Sequence, residues 1–178
     1  MAISTIPQAA LASGVPSASN ITTGTLPSAQ LPTGSVLQVV NVAFTNYTNT
    51  NSTTFVDMAG ATASITPKFS NSKIFIMITL MGLTRNSGTG NNGACASFQV
   101  VRTGWSASWD NFNTYTGSNA LTYSGTSSFN YLDSPATTSA VSYKIQWGNN
   151  AGATLQINNY NSIVGSSTST ITLMEIAG

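Results

Sequence analysis

Histidine is absent from the 178-residue chain, cysteine occurs once, and only 5% of the residues are charged. The single cysteine, Cys95, cannot form an intrachain disulfide, which excludes a disulfide-stapled fold. Without histidine, any metal site would need oxygen ligands, so the usual zinc sites are excluded. The same shortage excludes the common Ser–His and Cys–His catalytic pairs. We therefore expect no cofactor and no metal.

The few charged residues are scattered. Five Lys or Arg and four Asp or Glu give a formal net charge of +1, and the basic residues stand singly at positions 68, 73, 85, 102 and 144. Binding to a phosphate backbone needs clustered positive charge, so we expect no nucleic-acid partner. Low charge also removes repulsion between copies, which favours self-association or contact with a larger assembly.

The acidic residues leave little room for catalysis. A pair of carboxylates for glycoside cleavage would have to come from Asp57, Asp110, Asp133 and Glu175. Asp133 precedes Ser134-Pro135 and is more simply a turn residue, and Glu175 lies in an apolar stretch where it could pair with a lysine. We predict that the protein is not an enzyme.

The length fits one domain behind a short arm. Residues 1–14 lack the basic and long apolar regions of a secretory signal, so we expect synthesis in a cytoplasm. The longest apolar run, residues 73–83, is too short to cross a bilayer as a helix, and we expect no membrane insertion.

Residues 1–34 read as an extended arm, rich in Pro, Ala and Ser, with an internal repeat. Residues 5–14 align with residues 25–34, so that threonine, proline, alanine, leucine and glycine coincide. Four prolines prevent a long helix, and an extended backbone must find its hydrogen bonds outside the segment. A flexible linker is the alternative. We predict that the arm binds a partner, with these apolar anchors: Ile6, Leu11, Leu26 and Leu31.

The run of residues 73–83, KIFIMITLMGL, is predicted to be the central strand of the domain. Its apolar residues fall on both faces of an extended strand, so we expect both faces to be covered. A buried helix is the alternative, because periodicity does not separate the two in a short apolar run.

Residues 35–178 consist of short strand-like runs separated by turn clusters, and residues 54–58 and 61–66 read as two such runs separated by Gly60. The clearest is residues 140–147, where Val141, Tyr143, Ile145 and Trp147 alternate with polar residues. Eight or nine such runs without an amphipathic helix predict an all-β fold, an antiparallel jelly-roll-like β-sandwich.

The stretch from Gly104 to Gly125 is predicted to be a long irregular loop, and such loops are commonly functional. Its aromatic residues suit either a contact with a neighbouring subunit or the faces of sugar rings. The candidate contact residues are Trp105, Trp109, Phe112 and Tyr115.

Residues 31–42, and residues 128–147 together with 169–178, carry a resemblance to a known domain. Its most specific motifs are YLDSP at 131–135 and ITLMEI at 171–176. These stretches resemble a domain common in virion structural and tail-fibre proteins of tailed bacteriophages, especially phages of cyanobacteria and marine bacteria. The resemblance implies a structural role in the virion, commonly as a homotrimer, and supplies no catalytic residues.

Together these observations predict a trimeric capsid decoration, or cement, protein that contacts the major capsid protein or other virion proteins. The alternative is a trimeric tail-fibre tip that recognises a host surface glycan. A bacterial carbohydrate-binding module is a third, weaker interpretation because the resemblance is to phage proteins.

Overall fold

The computed structural model describes residues 28, 31–86, 96–111, 122–149, 154–158 and 167–178, with the backbone alone for residues 85, 86, 110, 111 and 122–124. These residues form ten strands in two antiparallel sheets, which confirms the predicted all-β sandwich. The strands are β1 (Val36–Phe44), β2 (Thr48–Thr50), β3 (Val56–Ile65), β4 (Lys73–Asn86), β5 (Ala96–Arg102), β6 (Trp105–Asn111), β7 (Thr122–Asp133), β8 (Val141–Asn149), β9 (Thr154–Ile157) and β10 (Ser169–Ile176).

Sheet A has the order β1-β10-β4-β9-β2, with β7 on the other side of β4, and sheet B has the order β3-β8-β5-β6. The first strand therefore lies beside the last, and most consecutive strands belong to opposite sheets. The jelly-roll topology stays a prediction.

Strand β4 is the centre of sheet A, as predicted for the apolar run. It is 14 residues long and pairs with β10, β7 and β9. On its inner face Ile74, Ile76, Ile78 and Leu80 are buried. Among the described residues, this inner face is covered as expected. The opposite face is not fully covered, because Met77 is 41% exposed.

The core lies between the inner faces of the two sheets. Strand β8 contributes Val141, Tyr143, Ile145 and Trp147, all buried, as the alternation predicts. Opposite them lie the inner residues of β4 and β10. Alternate residues of each strand thus build one continuous core, and the remaining residues of the strands face outward.

Two expectations about the strands are wrong. Residues 54–66 read as two strands separated by Gly60, but they form the single strand β3 with a shift of register between Asp57 and Thr62. Gly60 has a φ of +79°, a conformation that favours glycine, so the break in the pattern is a bulge rather than a turn. The stretch from Gly104 to Gly125 is not one long loop, because β6 occupies residues 105–111 and β7 begins at residue 122.

The arm joins the sandwich through a tight turn. The N–H of Ser35 donates to the carbonyl of Pro32 at 3.0 Å, and Gly34 has a φ of +89°. Gly34 and Ser35 both bond to the backbone of Ala177, at 2.8 and 2.9 Å, so the base of the arm is fixed to the end of β10. Of the predicted anchors, Leu31 is half-buried beside this turn, and Ile6, Leu11 and Leu26 lie outside the described residues.

Candidate binding surface

Trp105 and Trp109, predicted to lie in a loop, belong to the edge strand β6 of sheet B. Residues 105, 107 and 109 are Trp, Ala and Trp, while residues 106 and 108 are serines. This alternation places both tryptophans on the inner face of the sheet, toward β7 of sheet A. The other two aromatic candidates, Phe112 and Tyr115, lie outside the described residues.

Trp109 is enclosed between aromatic rings. Its ring stacks on Phe129 of sheet A with a centroid distance of 4.4 Å and on Phe98 of its own sheet at 5.4 Å. Its Nε1 donates to the hydroxyl of Ser127 at 3.0 Å. Because both ring faces and the indole N–H are used within the chain, Trp109 closes the edge of the sandwich and has no face available for a sugar.

Trp105 lies at the open end of a series of aromatic side chains in contact, which we call the aromatic row: Phe98, Trp109, Phe129, Tyr131 and Trp105. Its ring contacts Tyr131 at 5.1 Å and the edge of Tyr143 at 6.3 Å, and the guanidinium carbon of Arg102 is 5.5 Å from the ring centroid. Trp105 is half-buried and Tyr131 is 41% exposed. This pair, unlike Trp109, presents aromatic surface to solvent.

Asp133 precedes a turn, as predicted, and its carboxylate also ties sheet A to sheet B through hydrogen bonds. Arg102 of β5 donates through Nε to Oδ2 at 2.6 Å and through Nη2 to Oδ1 at 2.9 Å, and the hydroxyl of Tyr143 of β8 donates to Oδ2 at 2.7 Å. Asp133 itself ends β7 of sheet A and is 3% exposed. The sequence contains no local signal for this tie, because Arg102 precedes Asp133 by 31 residues.

The electrostatics of this tie favour the charged carboxylate. Burial raises the pKa of Asp133, but hydrogen bonds from Arg102 and Tyr143 lower it by more, so the pKa lies below its ordinary value of 3.8. The hydrogen bond to Asp133 raises the pKa of Arg102, and burial raises the pKa of Tyr143 well above 10.0. At neutral pH Asp133 and Arg102 form an ion pair and Tyr143 is a neutral phenol, which suits a structural role better than proton transfer.

A shallow cleft of about 330 Å³ opens beside Arg102. Each nitrogen of the guanidinium already donates within the chain, because Nη1 bonds to the carbonyl of Thr103 at 3.1 Å and the other two bond to Asp133. The cleft therefore offers hydroxyl and apolar groups. Its lining residues are Arg102, Thr103, Pro135, Thr137, Ala140, Val141 and Ser142.

Glu175 is buried in β10 at 0% exposure, and its partners are not lysine ammonium groups. Its carboxylate accepts from Nε2 of Gln38 at 2.6 Å and from the backbone N–H of Lys68 at 2.7 Å. Burial raises the pKa of Glu175, but these hydrogen bonds lower it below 4.5. The buried Ser72 hydroxyl faces the same carboxylate without the geometry of a full hydrogen bond, so we attribute the lowering to Gln38 and the backbone.

The outer face of sheet A carries an apolar row that crosses four strands. Val39 of β1 is paired with Met174 of β10, Met174 with Phe75 of β4, and Phe75 with Leu132 of β7. Val39 is 55% exposed and Leu132 is 46% exposed, while the two residues between them are half-buried. We call Val39, Met174, Phe75 and Leu132 the outer row.

The β1 edge of sheet A is a second open feature. Among the described strands, β1 pairs with β10 alone, and its nine residues, VLQVVNVAF, include no charge and no proline. Two described side chains donate to its carbonyl groups: Nζ of Lys68 to Leu37 at 3.2 Å and Nδ2 of Asn158 to Phe44 at 3.1 Å. Residues 39–43, between these two contacts, form an uncharged stretch of edge of the kind that can pair with another chain.

Comparison with models of protein families finds no match, and comparison with curated proteins finds no significant match. Within the described ranges, no three or more His, Cys, Asp or Glu side chains are grouped so that they could hold a metal ion. In the same part of the chain, no helix has the length and hydropathy needed to span a membrane.

Proposed function

We propose that the protein is a non-enzymatic structural component of a tailed-phage virion, namely a trimeric decoration, or cement, protein of the capsid. In this proposal the sandwich lies on the shell and the arm anchors Ile6 and Leu11 bind the major capsid protein or another virion protein. The protein is made in the host cytoplasm and acts in the particle.

The observation that carries this proposal is the open, uncharged β1 edge of sheet A. An edge strand of nine residues without charge or proline promotes aggregation of a free monomer, but in an assembly it can pair with a neighbouring subunit. In a closed trimer each contact is heterologous, so β1 of one copy meets a different surface of the next copy.

The motifs that resemble phage proteins support a scaffold role. The YLDSP motif contains Asp133, which ties the two sheets together. The ITLMEI motif is most of β10, the strand between β1 and β4, and contains the buried Glu175. The resemblance therefore rests on residues that build the sandwich and does not rest on residues of a reactive site.

One observation favours the alternative, a trimeric tail-fibre tip that binds a host glycan. Trp105 and Tyr131 form an exposed aromatic pair beside the hydroxyl-lined cleft at Arg102. Aromatic surface next to hydroxyl groups suits a sugar ring, so this end of the sandwich, and not Trp109, is the place where a glycan would bind.

Counting copies per particle separates the two proposals. Hundreds of copies on the head support cement, and a few tens or fewer at the tail support a fibre tip. Light scattering of the isolated protein tests the trimer that both proposals share, and a stable folded monomer would count against both.

The arm is tested by co-sedimentation with particles that lack the protein. We expect the full-length chain to bind and the Ile6→Asp/Leu11→Asp variant to bind much more weakly, because each fully buried aliphatic anchor contributes about 1.5–3 kcal/mol. Undiminished binding of this variant would mean that the sandwich, and not the arm, attaches the protein to the particle.

A further inference from the structure

Sheet A has two open edges at the level of the outer row. Among the described strands, β1 pairs with β10 alone and β7 pairs with β4 alone. The backbone groups that point away from the sheet along these two strands need partners from solvent or from another chain. Residues 39–43 of β1 and residues 128–132 of β7 include no charge and no proline, the residues that commonly protect an edge.

The two end residues of the outer row lie at these edges. Val39 of β1 is 55% exposed and Leu132 of β7 is 46% exposed, whereas Met174 and Phe75 between them are half-buried. The end residues are more exposed because each has a neighbouring strand on one side only. A strand of another chain beside either edge therefore covers apolar surface as well as backbone.

The strand directions allow the two edges to pair with each other between copies. The pairings β1–β10, β10–β4 and β4–β7 are all antiparallel, so β7 runs opposite to β1. When a second copy is placed beside β7 in the orientation of the first, its β1 is antiparallel to β7. This is the more stable kind of ladder, and it keeps the outer faces of both copies on one side.

The register that continues the outer row also matches the positions beside it. Apolar residues then face apolar residues, amide faces amide, and serine faces alanine. With the residue of β7 first, the pairs are Leu132–Val39, Tyr131–Val40, Asn130–Asn41, Phe129–Val42 and Ser128–Ala43. Tyr131, 41% exposed, is covered in the same contact. The pairing ends beyond Leu132, where Nζ of Lys68 already bonds to the carbonyl of Leu37.

We propose that residues 39–43 of β1 pair with residues 128–132 of β7 in the next copy of this chain, so that sheet A and its outer row continue across the contact. The contact joins two different edges and is heterologous, and three copies around a threefold axis leave neither edge open. This inference rests on the trimer of the proposed function and does not depend on the virion assignment. The competing arrangement, a twofold pairing of β1 with β1, covers Val39 and leaves Leu132 exposed.

Disulfide trapping in the full-length chain tests the pairing. In a Cys95→Ser background, mild oxidation of Val39→Cys/Leu132→Cys should give a covalent trimer on non-reducing gels. Within one chain these two positions are about 14 Å apart, across three strand spacings, which is too far for a disulfide. The matched control, Val39→Cys/Ser106→Cys, places the second thiol at an exposed position of β6, an edge of sheet B, and should give no covalent trimer. Covalent trimers from both variants, or from neither, overturn the proposal.

A single cysteine separates the proposed pairing from the twofold one. In the same background, Asn41→Cys should stay unlinked, because residue 130 of the next copy faces it. A covalent dimer of this variant would assign the contact to β1 of both copies and overturn the proposal. Light scattering distinguishes the two levels of inference: a trimer that Val39→Cys/Leu132→Cys does not trap contradicts this pairing alone, whereas a folded monomer also contradicts the proposed trimer.

Charge complementation gives an independent test without cysteine. Val39→Lys and Leu132→Glu should each weaken trimer association by about tenfold or more, measured by analytical ultracentrifugation, because one charge then lies in an apolar contact without a partner. The double variant Val39→Lys/Leu132→Glu brings opposite charges together and should recover most of this loss. Val56→Lys, on the β3 edge of sheet B, should leave association unchanged. If the losses of the two single variants simply add in the double variant, the two positions do not meet and the proposal is wrong.

Discussion

The outer faces of the two sheets differ in chemistry, although their strands alternate in the same way. On sheet B, Gln146 donates to Asp57 at 2.6 Å and accepts from Gln99 at 2.6 Å, while Lys144 donates to Asp57 at 2.9 Å. On sheet A, the corresponding positions form the outer row. Polar side chains that bond to each other across strands remain well solvated, whereas an apolar row gains from being covered. From this difference we predict that sheet B is the solvent side and sheet A the contact side.

Asp133 of sheet A bonds to Arg102 and Tyr143 of sheet B, so we expect its replacement to have the largest effect on stability. Asp133→Ala leaves the Arg102 guanidinium and the Tyr143 hydroxyl without their partner, and breaking a buried ion pair in this way costs about 3–5 kcal/mol. Urea unfolding measures the loss. A loss below about 1 kcal/mol would mean that solvent already screens the pair.

The aromatic row also joins the sheets, and its two ends should respond differently. Trp109→Ala removes a ring stacked on both faces and should cost about 3–5 kcal/mol, whereas the partly exposed Trp105 should cost less. If the end at Trp105 binds a glycan, Trp105→Ala lowers host adsorption while the oligomer stays intact. Adsorption lost with unchanged stability would place the fibre-tip proposal ahead of the cement proposal.

Two matched substitutions, each introducing one lysine, compare how much the two outer faces contribute to stability. Met174→Lys places a charge in the outer row and should lose up to about 1.5–3 kcal/mol of stability, the value of an apolar side chain that is fully covered. Ser64→Lys, on the solvent side, should change stability by less than about 0.5 kcal/mol. Thermal unfolding of the full-length variants measures both, and equal losses would erase the distinction between the faces.

Acid should weaken the interior more than the outer faces, because Asp133 and Glu175 are buried whereas Asp57 on sheet B is exposed. The pKa values of Asp133 and Glu175 are lowered in the folded chain, from 3.8 and 4.5, so the folded state binds their protons less readily than the unfolded state. Their stabilisation is complete above the unfolded values and is lost as the pH falls through the lower folded values. Urea midpoints should therefore be flat near neutral pH and fall below about pH 4, and the fall should be shallower in Asp133→Asn.

The smallest effect is expected on the solvent side. Asp57 and Lys144 form an ion pair whose side chains are 52% and 49% exposed, so Asp57→Ala should cost about 0.2–1 kcal/mol and less at high salt. A double-mutant cycle with Lys144→Ala isolates the pair. A larger coupling would mean that another molecule covers this face as well.

The sequence predicted most of the strands, because buried and exposed residues alternate along each half-buried strand. Strand β8 is the clearest case, with Tyr143 and Trp147 on its buried face. The alternation of Trp105 and Trp109 with serines gave the same signal for β6, but the surrounding Asn, Thr and Gly residues obscured it. Side chains of β6 alternate as in the other strands, so this error could have been avoided.

The contacts of the candidate surface could not be predicted in this way. The Arg102–Asp133 pair and the outer row join residues from different strands, and their proximity depends on strand order and register. A shift of one residue in the pairing of β10 with β4 would move Met174 to the other face of sheet A. Such contacts follow from the topology, which a single sequence does not specify locally.

The position of β10 between β1 and β4 has a consequence for synthesis. The ribosome completes β1 and β4 long before residues 169–176 emerge, so the nascent chain holds two open strands that must wait for their shared neighbour. Pairing across such a separation is slow, and apolar strands without partners are prone to associate with other chains during the delay. The emergence of β10, and not the appearance of any earlier strand, is therefore the event that permits sheet A to close.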